Sequence, residues 1–63
     1  MSNDDELLTV EQVADILKVG RTTVYELLAS GDLVSITIRR RRLVLRSDLN
    51  AYIAHRRSEA AHA

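Results

Sequence analysis

Thr9-Val10-Glu11-Gln12-Val13-Ala14-Asp15-Ile16-Leu17-Lys18-Val19-Gly20-Arg21-Thr22-Thr23-Val24-Tyr25-Glu26-Leu27-Leu28 is the stretch on which the fold turns. Thr9 stands just before an amphipathic run and has Gln12 three residues on, the spacing of a capping box. A helix is therefore expected to open at Val10. Its apolar positions Val10, Val13, Ala14 and Leu17 recur at i, i+3, i+4 and i+7, with Glu11, Asp15 and Lys18 facing elsewhere. Val19-Gly20 is expected to end it, because glycine tolerates a left-handed turn. From Arg21 a second helical pattern turns Val24, Leu27 and Leu28 inward and Arg21, Thr22, Tyr25 and Glu26 at least partly outward, until Ser30-Gly31-Asp32 stops it. Two helices this close around a Gly have the spacing of a helix-turn-helix.

Beyond Leu33 the period changes to two. Val34, Ile36 and Ile38 alternate with Ser35, Thr37 and Arg39, a half-buried strand, and Leu43-Val44-Leu45 resumes the apolar pattern after Arg39-Arg40-Arg41-Arg42. A hairpin with the four arginines at its tip is predicted. It must lean on the helices, since lone hairpins are unstable. Ser47 is expected to cap a third helix with the stripe Leu49, Tyr52 and Ile53 and with Asp48 at its positive end. The expected fold is thus α+β, a small winged helix-turn-helix over residues 7–57, between a disordered segment at 1–6 and a frayed tail at 58–63.

The chain has 63 residues, with nineteen Leu, Ile and Val, two Tyr and no Phe or Trp. That supports one aliphatic core and leaves little room for an enzyme. The absence of cysteine excludes disulfides, thiolate zinc sites and thiol nucleophiles. His55 and His62 have no third ligand at metal spacing, and no base stands near Asp15 or Glu26. No metal, cofactor, small-molecule substrate or catalytic constellation is therefore expected. The apolar runs are too short to span a membrane, and Asn3-Asp4-Asp5-Glu6 is the reverse of a signal peptide's basic opening, so a soluble, untargeted chain is expected.

The net charge is zero, but residues 1–32 carry −5 and residues 33–63 carry +5. Exposed charges much farther apart than the Debye length, about 8 Å at physiological salt, hardly influence one another, so the basic segment acts locally. Four arginines at a narrow β tip concentrate charge where it can follow a phosphate backbone or enter a minor groove; otherwise they form a solvated turn. At the start of the second helix, Arg21, Thr22 and Thr23 lie where a recognition helix presents its first turn to bases and phosphates. Thr23 could instead cap that helix, and Tyr25 could be a ring at the core's edge, a phosphate donor, or both.

The segments Leu7 to Leu17, Val19 to Tyr25, Ser30-Gly31-Asp32-Leu33, Arg40 to Val44 and Arg46 to Ile53 together resemble the excisionase-type winged helix-turn-helix family, distantly related to the mercury-resistance regulators. The resemblance covers about residues 7–54. It implies that the second helix enters the major groove, with Arg21, Thr22, Thr23 and Tyr25 at the DNA, and that Arg39, Arg40, Arg41 and Arg42 form the wing on the adjacent minor groove or backbone. Arg39 stands where the family usually has a wing Gly, Gly20 where it often has a capping Ser, and Val34 and Leu45 where prolines are common. The implied function is sequence-specific double-stranded DNA binding. The first form is a phage or mobile-element excisionase that binds tandem sites cooperatively, bends DNA and directs an integrase toward excision, in the cytoplasm of a bacterial or phage-infected cell. A small transcriptional regulator of the same fold is the second form. A protein-interaction module using the acidic residues Asp4, Asp5, Glu6, Glu11 and Asp15 is an alternative of another class, and an arginine-rich RNA binder is a further one. Without coiled-coil heptads, self-association is expected only on DNA, head to tail between acidic and basic halves.

Overall fold

Thr9 does two jobs at once, ending the first strand and capping the first helix. The computed structural model describes residues 6–61. The segment expected to be disordered at 1–6 therefore lies outside it except for Glu6, as do residues 62–63 of the expected tail. The order is β1 (Leu7–Thr9), α1 (Val10–Leu17), α2 (Arg21–Ser30), β2 (Ile36–Ile38), β3 (Arg41–Leu45) and α3 (Arg46–Ala61). The capping box forms as its spacing predicts: the Gln12 amide donates to Thr9 Oγ1 at 3.1 Å and the Thr9 amide to Gln12 Oε1 at 2.8 Å.

The turn between the helices closes differently from the sequence expectation. Lys18, not Gly20, takes the left-handed conformation (φ 61°). The Val19 amide then reaches Ala14 O at 3.0 Å and the Lys18 amide reaches Asp15 O at 3.3 Å, the two bonds of a Schellman closure. Gly20 instead has extended backbone and serves as the N-cap of α2. The left-handed Gly31 (φ 85°) ends α2 as expected.

The wing hairpin gains a third strand. β3 lies between β1 and β2, antiparallel to both, with Leu8 opposite Val44 and Ile36 opposite Leu43. Alternation then sorts β3: Val44 faces the helices and is fully buried, whereas Leu43 and Leu45 share the other face with Leu7, Ile36 and Ile38. Among the described residues that outer face stays largely open: Ile36 and Ile38, the apolar side of a strand expected to be half-buried, are 39 and 47 % exposed, and Val34, which precedes β2, is 57 % exposed. The core itself is Leu8, Val10, Val13, Ala14, Val24, Leu33, Val44 and Leu49, with Leu17, Leu27, Leu28, Tyr52 and Ile53 packed around it. Each fully buried Val or Leu stabilises the fold by about 1.5–3 kcal/mol.

α3 starts at Arg46, one residue before the expected cap Ser47, and continues through Ala61, so residues 58–61 extend the helix where a frayed tail was expected. Its start is tied to the first strand: the Arg46 amide donates to Glu6 O at 2.9 Å, and Arg46 Nε to Glu6 Oε1 at 2.8 Å. The exposed second half has no apolar stripe to bury. It rests instead on good helix formers such as Ala54 and Ala60 and on Glu59, which pairs with Arg56 at 3.3 Å and His55 at 3.5 Å, worth a few tenths of a kcal/mol each.

Candidate nucleic-acid interface

Burial of Val24 fixes which side of α2 is free. At about 100° per residue, Thr22, Glu26 and Ala29 lie opposite Val24 and Leu28, with Tyr25 on one flank and Thr23 on the other. Arg21, Thr22, Thr23 and Tyr25 are all exposed, Tyr25 at 48 %. Thr23 does not cap the helix, because no side-chain bond closes this N-terminus. Glu26 is equally exposed and sits one turn beyond Thr22, in the middle of the free face. The helical period that identifies Thr22 also points to Glu26, which belongs to the candidate surface and is not among the contact residues expected from the sequence.

The hairpin places its four arginines in different settings. Ile38 is paired with Arg41, so only Arg39 and Arg40 form the turn. Both have positive φ, 49° and 70°, the signature of a two-residue type I′ connection, which usually selects Asn and Gly. Arg41 and Arg42, expected at the tip, lie instead in β3. Arg42 shares the helix-side face with Val44, and Arg41 the outer face with Leu43. Among the described residues, none of the four is ion-paired to a carboxylate. Their positive charge is therefore available to an external anion.

Two grooves flank α2. β1 ends at Thr9, opposite Leu43, so β3 runs past it with a free edge at Arg42 and Arg41. There the chain turns into α1, and a cleft of about 180 Å³ opens, lined by Thr9, Val10, Glu11, Tyr25, Arg40, Arg41 and Arg42. This cleft joins residues of α2 and of the hairpin that are far apart in sequence. Arg39, Arg21 and Thr22 do not line it. Thr23 faces the second groove, about 400 Å³ between α2 and α3, with Leu27, Asp32, Tyr52, His55, Arg56 and Glu59. Arg56 is engaged with Glu59 there and Asp32 adds a second acid, so that groove is not basic.

The arrangement presents a narrow helix face able to reach base edges beside a two-stranded tip whose guanidiniums are unpaired among the described residues. Strands about 4.8 Å apart make a ribbon slim enough for a groove, and guanidiniums bind phosphate with two parallel hydrogen bonds. No helix of the described residues is long and apolar enough to cross a membrane.

A family model described as "Helix-turn-helix domain" matches residues 7–57. A protein of Saccharopolyspora erythraea described as "Probable excisionase" is 46 % identical over 48 residues, which cover 76 % of this chain and 49 % of that protein. The chain thus spans about half the length of this relative. No solved structure matches it.

Proposed function

The chain belongs to the excisionase-type helix-turn-helix family, and on that premise we propose that it is a sequence-specific double-stranded DNA-binding protein acting as an excisionase. The observation that carries this reading is the meeting of Tyr25, on the exposed flank of α2, with Arg40, Arg41 and Arg42 in one cleft. α2 enters the major groove, where Arg21, Thr22 and Glu26 reach base edges; a guanidinium suits guanine and a carboxylate suits the amino group of cytosine. Arg39 and Arg40 lead the wing into the adjacent minor groove, and the strand of backbone between the two grooves passes the cleft.

A module this small buries on the order of 600–1,000 Å² on DNA, so one site alone is held weakly. Additional affinity comes from neighbours on tandem sites. Asp15, Ile16 and Val19 form an exposed acidic and apolar surface on and just after α1, with Ile16 38 % and Val19 39 % exposed. The outer wing face, with exposed Ile36 and Ile38, is its apolar complement. Contact between unlike surfaces is heterologous and propagates head to tail along the duplex. Arginines placed on one side of the helix bend it, at a cost of about 1–6 kcal/mol that the neighbour contacts offset. An integrase then acts on the bent DNA in the excisive direction, within the host cytoplasm.

The test uses duplexes selected from a random library, carrying one, two or three copies of the selected site. Per-site affinity should rise with copy number, and the multi-site complexes should migrate as bent DNA in a circular-permutation assay. Equal per-site affinity on all three, or straight complexes, contradicts the cooperative bending mechanism.

A further inference from the structure

Glu11 lines the cleft that also gathers Tyr25, Arg40, Arg41 and Arg42, and among the described residues none of those arginines is ion-paired. It comes from the first turn of α1, where an acid favours the helix dipole. That role alone would suit a carboxylate pointing to any side, and Thr9 with Gln12 already closes the helix start. Among the described residues, no ion pair joins Glu11 to Arg40, Arg41 or Arg42. The carboxylate therefore does not neutralise one arginine outright. It belongs to the same cleft lining as all three and repels a phosphate that enters there.

The consequence differs between two kinds of complex. Binding to arbitrary duplex is driven almost wholly by phosphate contacts and samples many registers, so a carboxylate among the arginines weakens it throughout. A specific complex is held in one register by base contacts, which position the backbone on the guanidiniums and away from the acid. We infer that Glu11 is a specificity-determining residue, which lowers affinity for arbitrary DNA more than for the chosen site. The inference rests on the DNA-binding reading above and adds a residue that opposes binding to those that promote it.

The experiment compares the full chain with Glu11→Gln on a single selected site and on a random-sequence duplex, titrated at several salt concentrations. Glu11→Gln should tighten binding to the random duplex by about five- to tenfold near 100 mM salt and steepen the slope of log affinity against log salt by roughly 0.9, one phosphate contact's worth. The gain on the selected site should be clearly smaller. Asp48→Asn removes an acid from the first turn of α3, outside the cleft, and should leave both single-site affinities nearly unchanged, which separates position from net charge. Thermal melting checks that both variants fold. Unchanged random-duplex binding by folded Glu11→Gln, or an equal gain from Asp48→Asn, overturns the role of Glu11. A wild-type chain that binds no duplex at all overturns the DNA-binding reading itself.

Discussion

Replacing the turn Arg39-Arg40 by Asn-Gly should make the protein more stable and a poorer DNA binder at once. Both residues are held at positive φ, 49° and 70°. An L-residue in the left-handed region costs on the order of 1 kcal/mol, Gly almost nothing, and Asn is more tolerant than Arg. Relieving both positions recovers about 1.5 kcal/mol, and the extra freedom of Gly in the unfolded chain returns about 0.5 of it. The net gain of about 1 kcal/mol should raise Tm by roughly 4–8 °C in a domain of this size. The same change removes two unpaired cations from the tip, so the slope of log affinity against log salt should become shallower by up to about 1.8. Circular-dichroism melting and anisotropy titrations over a salt series measure both effects. A lower Tm would refute the I′ turn and its strain. A higher Tm with an unchanged slope would show that the tip points away from phosphate.

In the core, Leu49 is fully buried where α3 meets the sheet, so Leu49→Ala should cost about 2–5 kcal/mol and leave the domain largely unfolded at 37 °C, as read by denaturant titration. On α2, Arg21→Ala should cost about 1–3 kcal/mol on the selected site and little on random duplex; equal losses on both would make it a phosphate clamp. Glu26→Ala should relax preference at a single base position in a repeated selection experiment, while an unchanged consensus would remove Glu26 from the readout. Lys18→Gly should raise stability by about 0.5–1 kcal/mol in thermal melts by relieving the left-handed turn between α1 and α2, without altering DNA affinity.

Local signals were legible wherever residues next to one another in sequence decide the outcome. Thr9 and Gln12 are three residues apart and cap each other, and Val10, Val13 and Val24 reach the core on the faces that their period defines. What stayed hidden depends on distant partners. Leu7-Leu8-Thr9 is too short to read as a strand and becomes one only by pairing with Leu43 to Leu45. Ile36 and Ile38 alternate like half-buried residues, but alternation does not say which sheet face a helix will cover. Arg39-Arg40 carries no turn signal, because arginine is an unusual occupant of a I′ connection, so the sequence pattern predicts a tip four residues wide. The second half of α3 lacks an apolar stripe and is sustained by propensity and the Glu59 pairs, which periodicity does not detect. The arginines and Tyr25 were each legible as candidates, whereas the cleft that joins them to Glu11 follows from where β1 stops.

The central claim, that the free face of α2 and the wing together form the DNA-binding surface, is tested most directly by titrating isotopically labelled protein with a selected duplex and following each backbone amide by NMR. The account predicts that the largest shifts fall on Arg21, Thr22, Tyr25 and Glu26 and on Arg39 to Arg42, and weaken as salt is added. Shifts confined to Gln12, Asp15, Ile16 and Val19, or none on the wing, would contradict it.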